Sequence, residues 1–158
     1  MTIALLLHFL GIALWVGAGA VALQLAVGAG ADTPLRLPRL LLLGRVYSMI
    51  LAPGAMIASA SGLALTMILM TAGDGARLGS PPLAAMQVLG MVAGLGELFV
   101  VFPTAQRLTG TAAAAVSANA PWNANALRRR VVALESAMLT LVVLASLLGI
   151  WGRPEIAS

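Results

Sequence analysis

The residues best suited to chemistry in this chain lie inside long apolar runs. His8 is the only histidine, and Gly11 and Trp15 follow it within the first run. Because an α-helix turns about every 3.6 residues, these three positions share one helix face. This face carries an imidazole, a position without a side chain and a large aromatic ring. Such a face predicts either a binding site for a flat ligand or a contact surface for a neighbouring helix.

His8 lies about 10 Å from the start of its apolar run, at the helical rise of about 1.5 Å per residue. Polar side chains at such a depth in a membrane are costly and usually face the protein interior. A neutral imidazole suits haem iron, so His8 is a candidate axial ligand. The alternative is a histidine that forms a hydrogen bond to a neighbouring helix. With no second histidine, one chain cannot form a bis-histidine haem site.

Glu97 and Glu135 are carboxylates within later apolar runs, near the predicted level of Arg45 and Arg107. They could handle a proton or anchor a cationic group. The alternative, which the sequence favours, is an ion-pair network with Arg45 or Arg107 that locks helices together. His8 is expected to lie about a third of the roughly 30 Å hydrocarbon core away from both carboxylates.

Three methionines, Met67, Met70 and Met86, are expected near the outer face, at a depth similar to that of His8. Thioethers and an imidazole together can hold Cu(I). Methionine is also an ordinary filler of gaps between helices. Copper handling and simple packing both remain open for these side chains.

Composition places the whole chain in a bilayer. Of its 158 residues 61% are hydrophobic and 9% are charged, whereas soluble domains carry about 25% charged residues. The chain has no cysteine, which excludes disulfides, thiolate catalysis and iron–sulfur clusters. All nine basic residues are arginines at the ends of apolar runs, a pattern that indicates membrane orientation and not nucleic-acid binding.

Four runs reach the roughly 20 residues that a membrane-crossing helix needs. The sequence predicts a single all-α domain, an integral membrane four-helix bundle, with helices over about residues 2–28, 38–71, 81–102 and 126–151. Pro53 should kink the second helix, and Pro103 should mark the exit of the third. Residues 104–119 either extend that helix or form a surface loop. The first run has no basic segment before it, so we expect a retained span and not a cleaved signal peptide.

Arginine placement predicts the orientation of the bundle. Seven of the nine arginines flank the connections after the first and third spans: Arg36, Arg39, Arg45, Arg107, Arg128, Arg129 and Arg130. The positive-inside rule puts these connections in the cytoplasm and both termini on the outer, periplasmic side of a bacterial inner membrane. Tyr47, Trp122 and Trp151 are predicted to be interfacial anchors, and residues 128–130 could also bind anionic lipid.

Small residues recur at spacings that allow close helix packing in lipid. Gly54, Ala58 and Gly62 repeat every four residues in the second span, and Gly90 and Gly94 form a GxxxG motif in the third. Because lipid provides little hydrophobic drive for association, such stripes let backbones approach each other. We expect these contacts within the bundle and not between two copies.

Several short motifs together resemble a superfamily of small four-helix membrane proteins. They are His8-x6-Trp15-x-Gly17, the stretch of residues 45–57 in which Arg45 and Tyr47 precede Pro53, and Leu134-Glu135 after a run of arginines. The superfamily includes HemJ-type protoporphyrinogen oxidases, CopD-type copper-resistance domains and uncharacterised DUF2269-type proteins. The uncharacterised branch is the most similar, because the chain lacks lysine and further histidines.

The resemblance implies haem b binding and oxidation of protoporphyrinogen. It implies His8 as the iron ligand, with Trp15, Arg45 and Glu135 as the other cofactor-binding positions. The residues themselves favour a different role, that of a non-enzymatic accessory subunit of a larger membrane complex. Its expected partners are the lipid bilayer and other membrane subunits, without nucleic acid. The HemJ-like redox enzyme and copper handling are the alternative functions.

Overall fold

Four long helices make up the structure, a computed structural model that describes residues 2–30, 36–73, 79–118 and 124–151, the last two without their side chains. The helices are α1 (Thr2–Gly28), α2 (Arg36–Thr71), α3 (Pro81–Ser117) and α4 (Asn125–Trp151). Each is long and apolar enough to cross a membrane, and the described ranges contain no strand. The predicted all-α four-helix bundle is confirmed, and the chain is a multi-pass membrane protein.

The third helix is longer than the membrane span predicted for it. This helix does not stop near Phe102 but continues to Ser117, so the described part of the 104–119 segment extends the helix. The other predicted boundaries lie within two residues of those observed. The predicted anchors Trp122 and Trp151 lie outside the described side chains.

A π-helical turn explains why Pro103 does not end α3. Proline lacks the N–H that would continue the helix, and its ring clashes with the carbonyl of the preceding turn. In α3 the wider turn Glu97–Val101 comes just before the proline, and the N–H of Phe102 bonds to the carbonyl of Glu97. In α2 the turn Tyr47–Leu51 precedes Pro53 in the same way. The chain thus passes each proline by local widening.

The bundle consists of two helix pairs, α1 with α2 and α3 with α4. The stripe Gly54, Ala58 and Gly62 of α2 packs within the bundle, as predicted, and the structure shows that it faces α1. A methyl group at Gly11 would collide with the backbone of Ala58, and one at Gly54 would lie 2.9 Å from the backbone nitrogen of Trp15. The face that carries Gly11 and Trp15 is therefore a helix–helix seam and not the cradle of a flat ligand.

The other small residues divide into packed and open positions. A methyl group at Gly94 of α3 would collide with the hydroxyl of Ser59 on α2, and Gly96 packs against Met138 of α4. In contrast, a methyl group added at Gly90 or Gly17 would meet no atom within 4 Å. Of the predicted GxxxG motif, Gly94 is therefore used for close packing and Gly90 is not.

Arginines from two other helices hold the carboxyl end of α1. Arg39 Nη1 donates to the carbonyl of Gly28 at 2.6 Å, and Arg128 Nη1 donates to that of Ala26 at 3.3 Å. The last carbonyls of a helix lack partners within the helix and carry the negative end of its dipole. These guanidinium groups satisfy that end and tie α1 to α2 and α4.

The seam between α1 and α2 makes a matched pair of substitutions informative. We expect Gly11→Ala to lower the free energy of unfolding by about 1–3 kcal/mol, because the new methyl group forces the two backbones apart. Gly17→Ala adds the same group where there is open space and should be neutral or stabilising by up to about 1 kcal/mol. Thermal unfolding in detergent measures both, and equal midpoints for the two variants would contradict the close seam.

Candidate functional site

Four buried polar or aromatic side chains, one from each helix, meet inside the bundle. They are Trp15 of α1, Tyr47 of α2, Glu97 of α3 and Glu135 of α4, which we call the central cluster. Their exposed fractions are 3%, 0%, 0% and 1% respectively. Two carboxylates with so little exposure in a membrane-spanning bundle are costly, and intramembrane ionisable groups of this kind usually have a function.

The helices position the central cluster through local irregularities and small neighbours. Tyr47 and Glu97 are each the first residue of a π-helical turn, and such turns are frequent at functional sites. Glu135 lies in the uninterrupted helix α4, where the absence of a side chain at Gly19 leaves room for its carboxylate. Trp15 fits between the helices because Gly54 lets α1 and α2 approach.

One hydrogen bond organises the central cluster, and several of its polar atoms have no partner. The Tyr47 hydroxyl donates to Oε2 of Glu135. Oε1 of Glu135, both carboxylate oxygens of Glu97 and Nε1 of Trp15 are buried without a hydrogen-bond partner. Glu97 interacts electrostatically with Glu135 and with the Trp15 indole, the latter outside the geometry of a hydrogen bond.

The predicted ion pairs of these carboxylates with Arg45 or Arg107 were wrong. Both arginines are exposed on the bundle surface, and Glu97 has no hydrogen-bond partner at all. Long arginine side chains within a membrane reach towards the polar headgroups while their stems cover apolar surface. The two carboxylates therefore share a site without an arginine among its described contacts.

The central cluster can hold a proton and can join the two helix pairs. Like charges at a low-dielectric site repel each other, so two neighbouring buried carboxylates do not both ionise readily. A shared proton removes that repulsion. The hydrogen bond from Tyr47 to Glu135 connects α2 with α4, and the interaction of Trp15 with Glu97 connects α1 with α3. Both polar contacts thus cross between the two helix pairs.

His8 lies apart from the central cluster and bonds to α2. Its Nδ1 is 2.9 Å from the carbonyl oxygen of Ala58 and 3.3 Å from the Ser61 hydroxyl. Because a carbonyl only accepts, Nδ1 carries the proton, and in the neutral ring Nε2 keeps its lone pair. The hydrogen-bonded histidine that the sequence left as an alternative is thus present. In many metal-ligating histidines, a hydrogen bond of this kind from the other ring nitrogen fixes the orientation of the ring.

The structure does not bring the four residues of the predicted cofactor site together. Trp15 and Glu135 belong to the central cluster, whereas His8 lies seven residues earlier on α1, about 10 Å along the helix axis. Arg45 is exposed. The four residues therefore do not form one cluster, and His8 has its own hydrogen bond to the carbonyl of Ala58.

The methionines of the predicted copper site are also dispersed. Met67 and Met70 are exposed on α2, and Met86 packs against Gly149 of α4. His8 instead packs against Gly62, where a methyl group would lie 3.0 Å from the imidazole Cε1. No group of three or more histidine, cysteine or acidic residues that could hold a metal is present in the described ranges.

Tyr47 is the residue of the central cluster that the sequence assigned to another role. It was predicted to anchor the chain at the membrane interface, but its side chain is fully buried and bonded to Glu135. A signal was available in the spacing, because Tyr47 precedes Pro53 by six residues and Glu97 precedes Pro103 by six. Equal spacing from two intramembrane prolines places both residues at the start of a π-helical turn.

Comparisons with protein-family models, with curated proteins and with solved structures found no match to this chain.

The hydrogen bond between Tyr47 and Glu135 predicts non-additive effects of substitution. Tyr47→Phe should cost about 1–3 kcal/mol, because it leaves a buried carboxylate oxygen without its donor. Combining it with Glu135→Leu should cost less than the sum of the two single changes, since both polar partners are then removed. Unfolding midpoints in detergent for the four members of this cycle provide the measurement. Additive effects would show that the bond contributes little.

Proposed function

We propose that this membrane protein takes up and releases a proton at the Glu97–Glu135 pair and works as a non-enzymatic accessory subunit of a larger membrane complex. The observation that carries the proposal is Glu97, which is 0% exposed and has no hydrogen-bond partner for either carboxylate oxygen. A carboxylate that served only to pack helices would be better replaced by an apolar residue of similar size. Retaining two of them suggests a use for their protons.

The neighbours of the pair support proton exchange at Glu97. Tyr47 already donates to Glu135 and thereby favours negative charge on that carboxylate. Neither oxygen of Glu97 has a hydrogen-bond donor, so the proposal assigns the exchanged proton to Glu97. A change in its protonation alters the repulsion between α3 and α4 and the contact with α1. Proton binding is thereby linked to the fit between the two helix pairs.

Short connections support the accessory role. Helices α1 and α2 are joined by residues 29–35, α2 and α3 by residues 72–80, and α3 and α4 by residues 118–124. Because these connections are short, we expect partner subunits to dock mainly within the bilayer. The exposed side chains there are apolar, including Phe99, Met49 and Val88.

The arginine-bearing end of the bundle is proposed to face the cytoplasm. Arg39 and Arg128 hold the carboxyl end of α1 at this end, and Arg129 and Arg130 are exposed beside them. The positive-inside rule then puts the amino end of α1 and the carboxyl end of α4 on the periplasmic side of an inner membrane.

Infrared difference spectroscopy across a pH step tests the proton site. A protonated carboxylic acid gives a carbonyl band that a carboxylate lacks. We expect the protein in lipid vesicles to gain such a band as the pH falls, and Glu97→Gln to abolish it. The matched control is Glu155→Gln, which removes a carboxylate that follows α4 in the sequence and should leave the band intact. A band that survives both Glu97→Gln and Glu135→Gln would overturn the proposal.

Haem b binding is a second candidate, favoured by the hydrogen bond from His8 Nδ1 to the carbonyl of Ala58. This bond leaves Nε2 as the free donor to iron. If haem binds, protein purified after expression with ample haem will show a Soret band, and His8→Ala will lose it. Gly17→Ala, on the same helix in open space, should retain the band. Wild-type protein without a Soret band, or a band unchanged in His8→Ala, excludes His8 as the ligand.

A further inference from the structure

Arginines from α2 and α4 surround the carboxyl end of α1. Arg39 of α2 and Arg128 of α4 each donate to a backbone carbonyl there. A further bond joins the same two helices, from Arg36 Nη2 to Oδ1 of Asn125 at 3.1 Å. Three helix ends thus meet at one place, which we call the arginine corner and define by Arg39, Arg128 and Arg129.

The positive charge of the arginine corner has no counterion among the described residues. The acceptors of Arg39 and Arg128 are backbone carbonyls, which are neutral. Glu97 and Glu135 are the only acidic side chains that the structure describes, and both are buried in the central cluster. Arg129, which follows Arg128 on α4, is exposed. The corner therefore gathers three guanidinium groups and attracts an anion.

The helices hold these arginines in position before any ligand binds. Arg128 and Arg129 lie three and four residues after Asn125, so all three share the face of α4 from which Asn125 contacts α2. Each planar guanidinium group has five N–H donors, and Arg39 and Arg128 each use one in the bond to α1. Both side chains are half-buried, so part of each is accessible. A side chain that is already held loses little further freedom when it binds an anion.

Exposed apolar side chains lie beside the arginine corner. Val27 of α1, one residue before Gly28, is 54% exposed, and Leu41 and Leu42 of α2, just after Arg39, are 45% and 48% exposed. In a membrane-spanning bundle these side chains contact acyl chains, while arginines at the ends of the spans lie at the level of the headgroups. A ligand that meets both surfaces carries a phosphate joined to acyl chains.

We propose that the arginine corner binds the phosphate of an anionic membrane phospholipid. A guanidinium fork matches the oxygens of a phosphate and forms charge-assisted hydrogen bonds with them. Basic pockets between membrane helices bind lipid headgroups in this way. The sequence left lipid binding open for residues 128–130, and the structure adds Arg39 of α2. A lipid held by Arg39 and Arg128 joins the two helix pairs at this end of the bundle.

Native mass spectrometry of the purified protein in detergent measures lipid binding. The probes are dioleoylphosphatidylglycerol and dioleoylphosphatidylcholine, which share their acyl chains and phosphate but differ in net charge. We expect the protein to retain the anionic lipid in preference to the zwitterionic one, whose ammonium group the arginines repel. Arg39→Gln and Arg128→Gln should each weaken the apparent affinity by about tenfold or more, because each removes charge-assisted hydrogen bonds.

Arg107→Gln is the matched control. It removes the same charge from α3, which contributes no residue to the arginine corner, and should leave the affinity within about twofold of that of the wild type. Arg128→Lys keeps the charge but loses the planar fork, so we expect an intermediate affinity. Circular dichroism checks folding, because Arg39 and Arg128 also hold α1. If their variants do not fold, Arg129→Gln replaces them, with a smaller loss expected.

Equal retention of the two lipids, or an equal loss of affinity in Arg107→Gln and Arg39→Gln, would overturn the site and indicate general attraction by net charge. Inorganic phosphate at the concentration of the lipid distinguishes a free anion from a lipid, and displacement of the lipid by it would overturn the lipid as the ligand.

The chain also contains an acidic residue close in sequence to the arginine corner, Asp32 in the connection after α1. Retention of the anionic lipid by Asp32→Asn but not by the wild type would overturn the proposal, because the chain itself would then supply the anion. The lipid site is independent of proton exchange at the Glu97–Glu135 pair. All these variants leave both carboxylates in place, so the infrared and lipid-binding experiments can fail separately.

Discussion

The hydrogen bond from Tyr47 to Glu135 is the contact on which the arrangement of the bundle depends. Lipid tails are as apolar as leucine, so the hydrophobic effect does little to hold one membrane helix against another. Helices α1 and α2 associate through a seam of small residues, and α3 packs on α4. Between these two pairs, the buried phenol and carboxylate form a direct polar link in a medium where leaving either one unpaired is expensive.

The same hydrogen bond also explains why the two carboxylates differ in their hydrogen-bond partners. Glu135 has a donor for one of its oxygens, whereas Glu97 has none. With no arginine contact, the pair cannot be neutralised by a fixed positive charge within the described residues. A proton is the remaining way to remove their repulsion.

The prolines of α2 and α3 explain how these groups reach the interior. Pro53 and Pro103 each follow a π-helical turn, and Tyr47 and Glu97 are the first residues of those turns. A π-helical turn inserts an extra residue and thereby rotates the side chains on one side of it relative to those on the other. Side chains that a regular helix would place elsewhere can thus point to one centre. The same turns keep both helices continuous past their prolines.

The sequence alone determined the fold class and the number of membrane-spanning helices. The long apolar runs led to four spans, because a membrane requires about 20 apolar residues per helix, and the small residues of α2 indicated close packing within the bundle. The tertiary structure alone decided that Tyr47 is a buried partner of Glu135, that Arg45 and Arg107 leave the carboxylates unpaired, and that α3 continues past Pro103. The reason is physical: hydropathy and periodicity specify which side chains lie in the membrane and on which face, whereas the register between helices and the rotation at each π-helical turn arise only when the helices pack.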